Sequence, residues 1–297
     1  MENIQNIKTA KTHSNVINNP WSVLREYTDA RIGLGRSGIS LPTSHLLEFQ
    51  LAHAKAQDAV HLPLDVEDIL DKLDNTSFNI NLISENVHSH EVLKKGHSTL
   101  LLHSKAANRV MYLQRPDLGR RLNQASLNTL KSHIPAHTKA YDLAIVIVDG
   151  LSSLAIKENA VNFIDKLCQA LSQDTQKWSL APFTVVEQGR VAIGDEIGMT
   201  LNAKATLVLI GERPGLSSPD SLGLYLTWDA QVGLTDANRN CISNIRLDGL
   251  SYDEAVKKSI YLLKESRRLS LSGVNLKDRT TSNEIEQRIS EENFLLN

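Results

Sequence analysis

The sequence predicts an α/β fold in which helices are doubly wound on a mainly parallel sheet. Three observations predict it. Tyr141–Val148 (YDLAIVIV) and Ala203–Ile210 (AKATLVLI) are apolar on both faces, as strands are when helices cover the sheet from both sides. Helix-period segments at Lys157–Leu171 and Ile193–Leu201 alternate with these strands, the pattern of βαβ units. Each apolar run also stops at a turn signal, Asp149-Gly150 after the first and Gly211 after the second.

The other elements follow in chain order. The first residues are polar and read as a tail. Asn19 then caps a helix with Pro20 at its first position, running to about Ile32. A Gly-rich turn spans Gly33–Gly38. A second helix, Thr43–Ala59, carries Leu46, Leu47, Leu51 and Ala54 at helical spacing, and a third covers Val66–Leu73. Weak strands are expected at Asn79–Ile83 and Thr99–Leu102. Val110–Leu113 reads as a short strand, and Arg115–His133 as a helix with Pro116 and Asp117 in its first turn. Phe183–Val186 and Leu222–Trp228 read as strands, and Tyr252–Leu269 as a long amphipathic helix. The expected organisation is a tail (1–19), a helical N-terminal subdomain plus a variable connection (20–108), an α/β domain (109–272) and a polar C-terminal tail (273–297).

Composition excludes several classes. With 297 residues, 41% of them hydrophobic, the chain can bury a sizeable core. A net charge of -2 gives no basic footprint for nucleic acid. No apolar run approaches the roughly 18 residues of a membrane span. The first 19 residues contain no secretory h-region. Two isolated cysteines, Cys168 and Cys241, make no disulfide framework and suit a reducing cytosol.

Several motifs have bland readings. Gly33-Leu34-Gly35-Arg36-Ser37-Gly38 matches G-x-G-x-x-G, but that fingerprint needs a strand before it and a helix opening within it. A helix precedes it here, so a turn requiring glycine at positive φ is the simpler reading. Gly150-Leu151-Ser152-Ser153-Leu154 resembles a nucleophile elbow but has leucine where the fifth-position glycine belongs. His88-Ser89-His90 lacks the further ligands that a metal would need.

Ligands of such sheets bind where the strand ends meet their loops. In Val208–Leu216 (VLIGERPGL) a buried strand delivers Glu212 and Arg213 to that edge before Pro214-Gly215 turns the chain. An ordinary turn with a solvated ion pair is equally consistent with this chemistry. Arg115–Arg121 (RPDLGRR) is the other conspicuous segment. Cys241, within Asn238–Asn244 (NRNCISN), reads by itself as a small packing residue.

Taken together, YLQRPDLGRRL (112–122), VIVDGLS (146–152), PFTVVEQGRVAIGDEIG (182–198), LIGERPGL (209–216) and NRNCISNI (238–245) resemble, in order and spacing, the ethanolamine ammonia-lyase small (light) subunit. The resemblance spans about residues 20–270. It implies a Rossmann-like domain that clasps adenosylcobalamin against a TIM-type large subunit holding ethanolamine. The implied reaction converts ethanolamine to acetaldehyde and ammonia. Homolysis of the cobalt–carbon bond gives an adenosyl radical that takes hydrogen from the substrate. The small subunit is then active only in that hetero-oligomer, with no catalytic residue or metal ligand of its own.

Family cofactor contacts carry over to Val191, Glu212 and Cys241. Arg190 and Arg213 are second-rank candidates, for the cofactor phosphate or for the partner chain. The D-x-H-x-x-G signature of proteins that replace the benzimidazole ligand is absent, so base-on cobalamin is expected. The implied location is cytoplasmic, a bacterial microcompartment included. The competing readings are a nucleotide-binding α/β protein, resting on Gly33–Gly38, and a non-catalytic scaffold subunit.

Overall fold

A computed structural model describes residues 15–75, 99–133 and 140–280. The expected strand at Asn79–Ile83, His88-Ser89-His90 and the ends of both expected tails lie outside the described residues. The chain divides into two compact units, one ending at Ala56 and the other starting at Gln57.

In the first unit Asn19 caps a turn as expected, its side chain accepting from the Trp21 N–H at 2.9 Å. The element it opens is a seven-residue 3-10 helix, Pro20–Glu26, where an α-helix to Ile32 was expected. The Thr28 hydroxyl accepts from the Ala30 N–H at 3.1 Å, a local turn that competes with helix propagation. Strands β1 (Val16–Ile17) and β2 (Arg36–Ser37) pair antiparallel. The helix α1 (Thr43–His61) follows, and the boundary between the units falls within it.

The second unit begins with α2 (Val66–Asp74), capped by Asp65, and β3 (Leu100–His103). Two expectations fail here. Val110–Leu113 is not a strand but part of a helix, α3 (Arg109–Gln114). Asn108 caps it by accepting from the Met111 N–H at 3.0 Å, and four consecutive apolar residues are too few to separate the two periods. The expected helix Arg115–His133 is broken into a 3-10 turn, Leu118–Arg120, and α4 (Gln124–Ser132). Arg115, at φ -126° and ψ 76°, is driven out of the helical region by Pro116. Asn123 then provides a fresh cap, accepting from Ser126 N–H at 2.8 Å.

The remaining strands are β4 (Tyr141–Val148), β5 (Thr184–Glu187), β6 (Ala203–Gly211), β7 (Leu222–Trp228) and β8 (Arg239–Ile245). They build a six-stranded sheet in the order β3-β5-β4-β6-β7-β8. The first four are mutually parallel, and β7 and β8 add antiparallel. The sheet is thus mostly parallel, as expected. The sequence pattern did not announce β8, because Arg, Asn and Ser are poor strand formers and only Ile242 and Ile245 are buried apolar positions in it.

Both faces of the sheet carry helices. After Ser153–Ala155 the chain widens to a π-turn over Ile156–Ala160 and continues as α5 (Val161–Ser172). On one side Leu143, Ile145 and Ile147 of β4 pack with Leu207 and Leu209 against α5 and α7 (Tyr252–Leu269). On the other side Ala144, Val146 and Val148 pack with Val208 and Ile210 against α4 and α6 (Ile193–Thr200). Burying each such Leu, Ile or Val stabilises the fold by about 1.5–3 kcal/mol. Register places Val148 beside both Val186 and Ile210. The carboxyl ends of the three central strands are therefore level, and their loops converge.

Candidate functional site

Asp149 ties those loops together. It directly follows β4 and is 2% exposed. Its carboxylate accepts from the backbone N–H groups of Gly150 (2.8 Å), Gln188 (2.8 Å) and Gly189 (3.1 Å). Arg109 lies 3.8 Å away and is held in turn by the carbonyls of Val60 and Gly150, each at 2.7 Å. Burial pushes Asp149 up to about 6, against the opposing pull of these donors and of Arg109. Burial likewise lowers the Arg109 pKa, and Asp149 offsets part of that. Gln188, a non-glycine residue at φ 55°, is bent so that its N–H reaches Asp149.

The β4 and β6 ends press together. A Cβ on Gly150, which sits at φ 62°, would come within 2.2 Å of the Gly211 carbonyl. A Cβ on Gly211 would come within 2.0 Å of the Ser152 carbonyl. Only glycine fits both places.

Beside this knot lies an open cleft of about 380 Å³, lined by Tyr112, Leu151, Arg190, Val191, Ile210, Gly211, Glu212, Arg213 and Tyr225. The expected residues Val191 and Glu212, and the second-rank Arg190 and Arg213, therefore share one wall system. Glu212 accepts from the Ser221 hydroxyl at 2.5 Å and the Asn244 N–H at 3.4 Å, both through Oε2. Cys241 does not line the cleft. It is exposed on β8, paired in register with the cleft residue Tyr225, and its Sγ lies 3.3 Å from the Ser243 hydroxyl. Burial and the neighbouring Cys241 and Glu212 push the Tyr225 hydroxyl pKa upward.

The segment Arg115–Arg121 buttresses the loop that carries Arg190 and Val191. Gly119 accepts from the Arg190 N–H at 2.8 Å. Arg121 pairs with Glu196 at 2.8 Å, and the Leu122 N–H donates to the same carboxylate at 2.7 Å. Glu196 loses water on burial, yet these two donors hold it below the usual carboxylate range. Arg115 itself only forms an exposed pair with Asp117.

The bland readings are settled by geometry. Ser152 is no nucleophile. It is fully buried, accepts from the Ala155 N–H as a helix cap (3.2 Å) and donates to the Pro219 carbonyl (2.6 Å). Gly33, Gly35 and Gly38 all have positive φ, and they flank β2 rather than open a helix. The nucleotide fingerprint thus lacks its structural context. Among the described residues no group of three His, Cys, Asp or Glu is placed to hold a metal, and no helix is long and apolar enough to cross a membrane.

The family model described as ethanolamine ammonia-lyase light chain (EutC) matches residues 18–277. The chain belongs to the ethanolamine ammonia-lyase light-chain family. Its relatives agree. An ethanolamine ammonia-lyase small subunit of Pseudomonas aeruginosa (strain UCBPP-PA14) is 52% identical over 280 residues, covering 94% of each chain. The protein of the same name from Pseudomonas syringae pv. tomato is 51% identical, covering 93% of this chain and 88% of its own. That of Pseudomonas fluorescens (strain Pf-5) is 50% identical, covering 94% and 95%.

Within this light-chain fold, the sequence places Asp149 at the strand edge but gives it no role, and it does not point to Arg109, Tyr112 and Tyr225 as parts of that edge. Asp149 left a signal, a carboxylate directly after a buried strand. Arg109 and Tyr112 left none, because a strand at Val110–Leu113 would not set the two on one helical turn.

Proposed function

We propose that this light chain holds adenosylcobalamin, base-on, at the Arg190–Glu212 cleft, against a large subunit that holds ethanolamine. The pair deaminates ethanolamine to acetaldehyde and ammonia. The observation that carries the reading is the convergence of Val191, Glu212, Arg190 and Arg213 on one cleft at the carboxyl edge of the sheet, in a chain of this family. A small subunit implies a larger partner, and the relatives bear that name.

The residues fit the group. Cobalamin presents neutral carboxamides, a ribose, a phosphodiester and an apolar benzimidazole. A carboxylate only accepts, and the Oε1 of Glu212 is left over after Ser221 and Asn244 have used Oε2, so amide or ribose donors are its complement. Val191, Leu151 and Ile210 offer apolar contact. The side chain of Cys241, next to Tyr225 on the neighbouring strand, extends the same edge as a small soft surface and not as a cobalt ligand. A corrinoid is far larger than 380 Å³, so this chain receives a part of it and the partner encloses the rest. The bound cofactor supplies a cleavable cobalt–carbon bond, and the protein supplies binding, orientation and shielding.

In this reading residues 109–272 form a Rossmann-like binding domain, residues 20–108 a helical subdomain with its connection, and 1–19 and 273–297 the tails. The complex is cytoplasmic, a bacterial microcompartment included.

The test mixes this chain with a cognate large subunit and measures cobalamin binding and acetaldehyde release, with each chain alone and a Glu212→Ala mixture as controls. Turnover confined to the mixture, with cofactor affinity weakened at least about tenfold by Glu212→Ala, is expected. A stable complex that neither binds cobalamin nor releases acetaldehyde overturns the proposal.

A further inference from the structure

Arg190 is a half-buried cation of the cleft that no carboxylate answers among the described residues. Its Nη2 donates to the Tyr112 carbonyl at 3.0 Å, and its guanidinium lies 4.0 Å from the centre of the Tyr112 ring. Its Nε is buried without a hydrogen-bond partner. The same ring carries a second guanidinium, Arg109, at 4.7 Å, but that one has Asp149 at 3.8 Å. No carboxylate pairs with Arg190 among the described residues. A half-buried cation without an anion is costly, unless a ligand supplies the anion.

The surroundings are shaped to this side chain. A Cβ on Gly119 would sit 2.9 Å from Arg190 Cγ and 3.2 Å from the Tyr112 ring. The Gly119 carbonyl takes the Arg190 N–H at 2.8 Å. Thus backbone, stem and guanidinium are each held, and the charge is what remains unanswered. Arg213 adds an exposed second cation to the cleft. The one carboxylate in the lining, Glu212, is drawn toward β7 and β8 by Ser221 and the Asn244 N–H. Arg190 follows β5 and Glu212 leans on β7 and β8, and β4 and β6 lie between β5 and β7 in the sheet, so these two charges stand apart across the cleft.

Resting on the cobalamin reading above, we infer that Arg190, assisted by Arg213, receives the phosphodiester of the cofactor's nucleotide loop, and that Tyr112 and Gly119 are positioning residues that aim it. The phosphodiester is the anionic group of that loop, and the corrin side chains around it are neutral amides. A guanidinium fork is the side chain best matched to phosphate oxygens.

The experiment compares two probes on the complex of this chain with a cognate large subunit. Cyanocobalamin carries the phosphodiester. Cobinamide keeps the corrin ring but lacks the phosphate, ribose and base. Dissociation constants are read by equilibrium dialysis. Arg190→Gln should weaken cyanocobalamin binding by about 10- to 100-fold, the range of one charge-assisted contact, and leave cobinamide within about twofold. Arg190→Lys, which keeps the charge but loses the fork and the stacking, should give a smaller loss on cyanocobalamin alone. Tyr112→Leu should follow the lysine variant.

Equal losses on both probes, or no loss on either, would overturn the inference. So would a variant that no longer assembles with the large subunit, since Arg190 would then be answering a partner carboxylate. If the wild-type complex binds neither probe, the cobalamin reading itself falls. If Glu212→Ala weakens cyanocobalamin while Arg190→Gln does not, only the phosphate assignment falls.

Discussion

Two carboxylates stand at the same sheet edge, and they differ in where their lone pairs go. Asp149, after β4, turns both oxygens inward to three backbone N–H groups and Arg109. Glu212, after β6, is anchored through one oxygen by a hydroxyl and a long backbone contact, and it faces the cleft. A carboxylate whose acceptor capacity is used up inside holds the frame. One with capacity to spare can answer a ligand. Sequence chemistry rates the two residues alike, as acidic groups at strand ends, and only their partners separate them.

The largest effect that would sharpen this contrast is Asp149→Ala. It strands three buried N–H groups and a buried guanidinium, so a loss on the order of 3–5 kcal/mol is expected in chemical denaturation of the full chain. A loss below about 1 kcal/mol would mean that water replaces the carboxylate and that Asp149 is not the frame residue.

The second effect depends on pH. Asp149 titrates at about 6 in the fold against an ordinary 3.8. The folded state therefore holds the proton more tightly than the unfolded chain. Its stabilising contribution is full below about pH 4 and is lost as pH rises through about 6. The stability of the wild type minus that of Asp149→Asn should accordingly fall by on the order of 3 kcal/mol between pH 4 and 7.5. A difference that rises with pH would show that the N–H donors and Arg109 outweigh burial.

Glu212→Ala comes next. Its stability cost should be only about 1 kcal/mol, from the Ser221 hydroxyl left behind, while cofactor affinity of the complex falls at least about tenfold. A stability loss matching that of Asp149→Ala would erase the distinction between the two residues. The smallest effect is expected at Arg115→Ala. It removes an exposed pair with Asp117 and should leave the unfolding midpoint unchanged within error. A clear shift there would show that Arg115 supports the buttressing segment after all.

Much of the fold was legible because burial writes itself into long apolar runs. Leu222–Trp228 and Tyr252–Leu269 were expected and found with the same limits. The ends of β4 and β6 were read to within a residue. The failures cluster where a local signal is short or overruled. The four residues of Val110–Leu113 could not distinguish a strand from the helix that Asn108 caps. The run to His133 looked continuous until Pro116 and Asn123 divided it. The strand β8 is set by its pairing with β7, and its buried Arg239 meets Asp195 on α6 at 2.5 Å, contacts between residues far apart in the chain. Of the candidate site, Glu212, Val191 and Arg190 were legible from their motifs. That they share a cleft, and that Cys241 stands one strand away, was not.

By itself the sequence determined the class of fold, where its two long central strands end, and the family. These follow from apolar periodicity and from local strings of residues. Only the tertiary structure decided which acidic group is tied inward and which lines the cleft, and which of two arginines on Tyr112 has no carboxylate beside it among the described residues. Those properties depend on partners brought from Val60, Gln188 and Ser221, and hydrogen bonds between distant segments leave no local mark in the order of the residues.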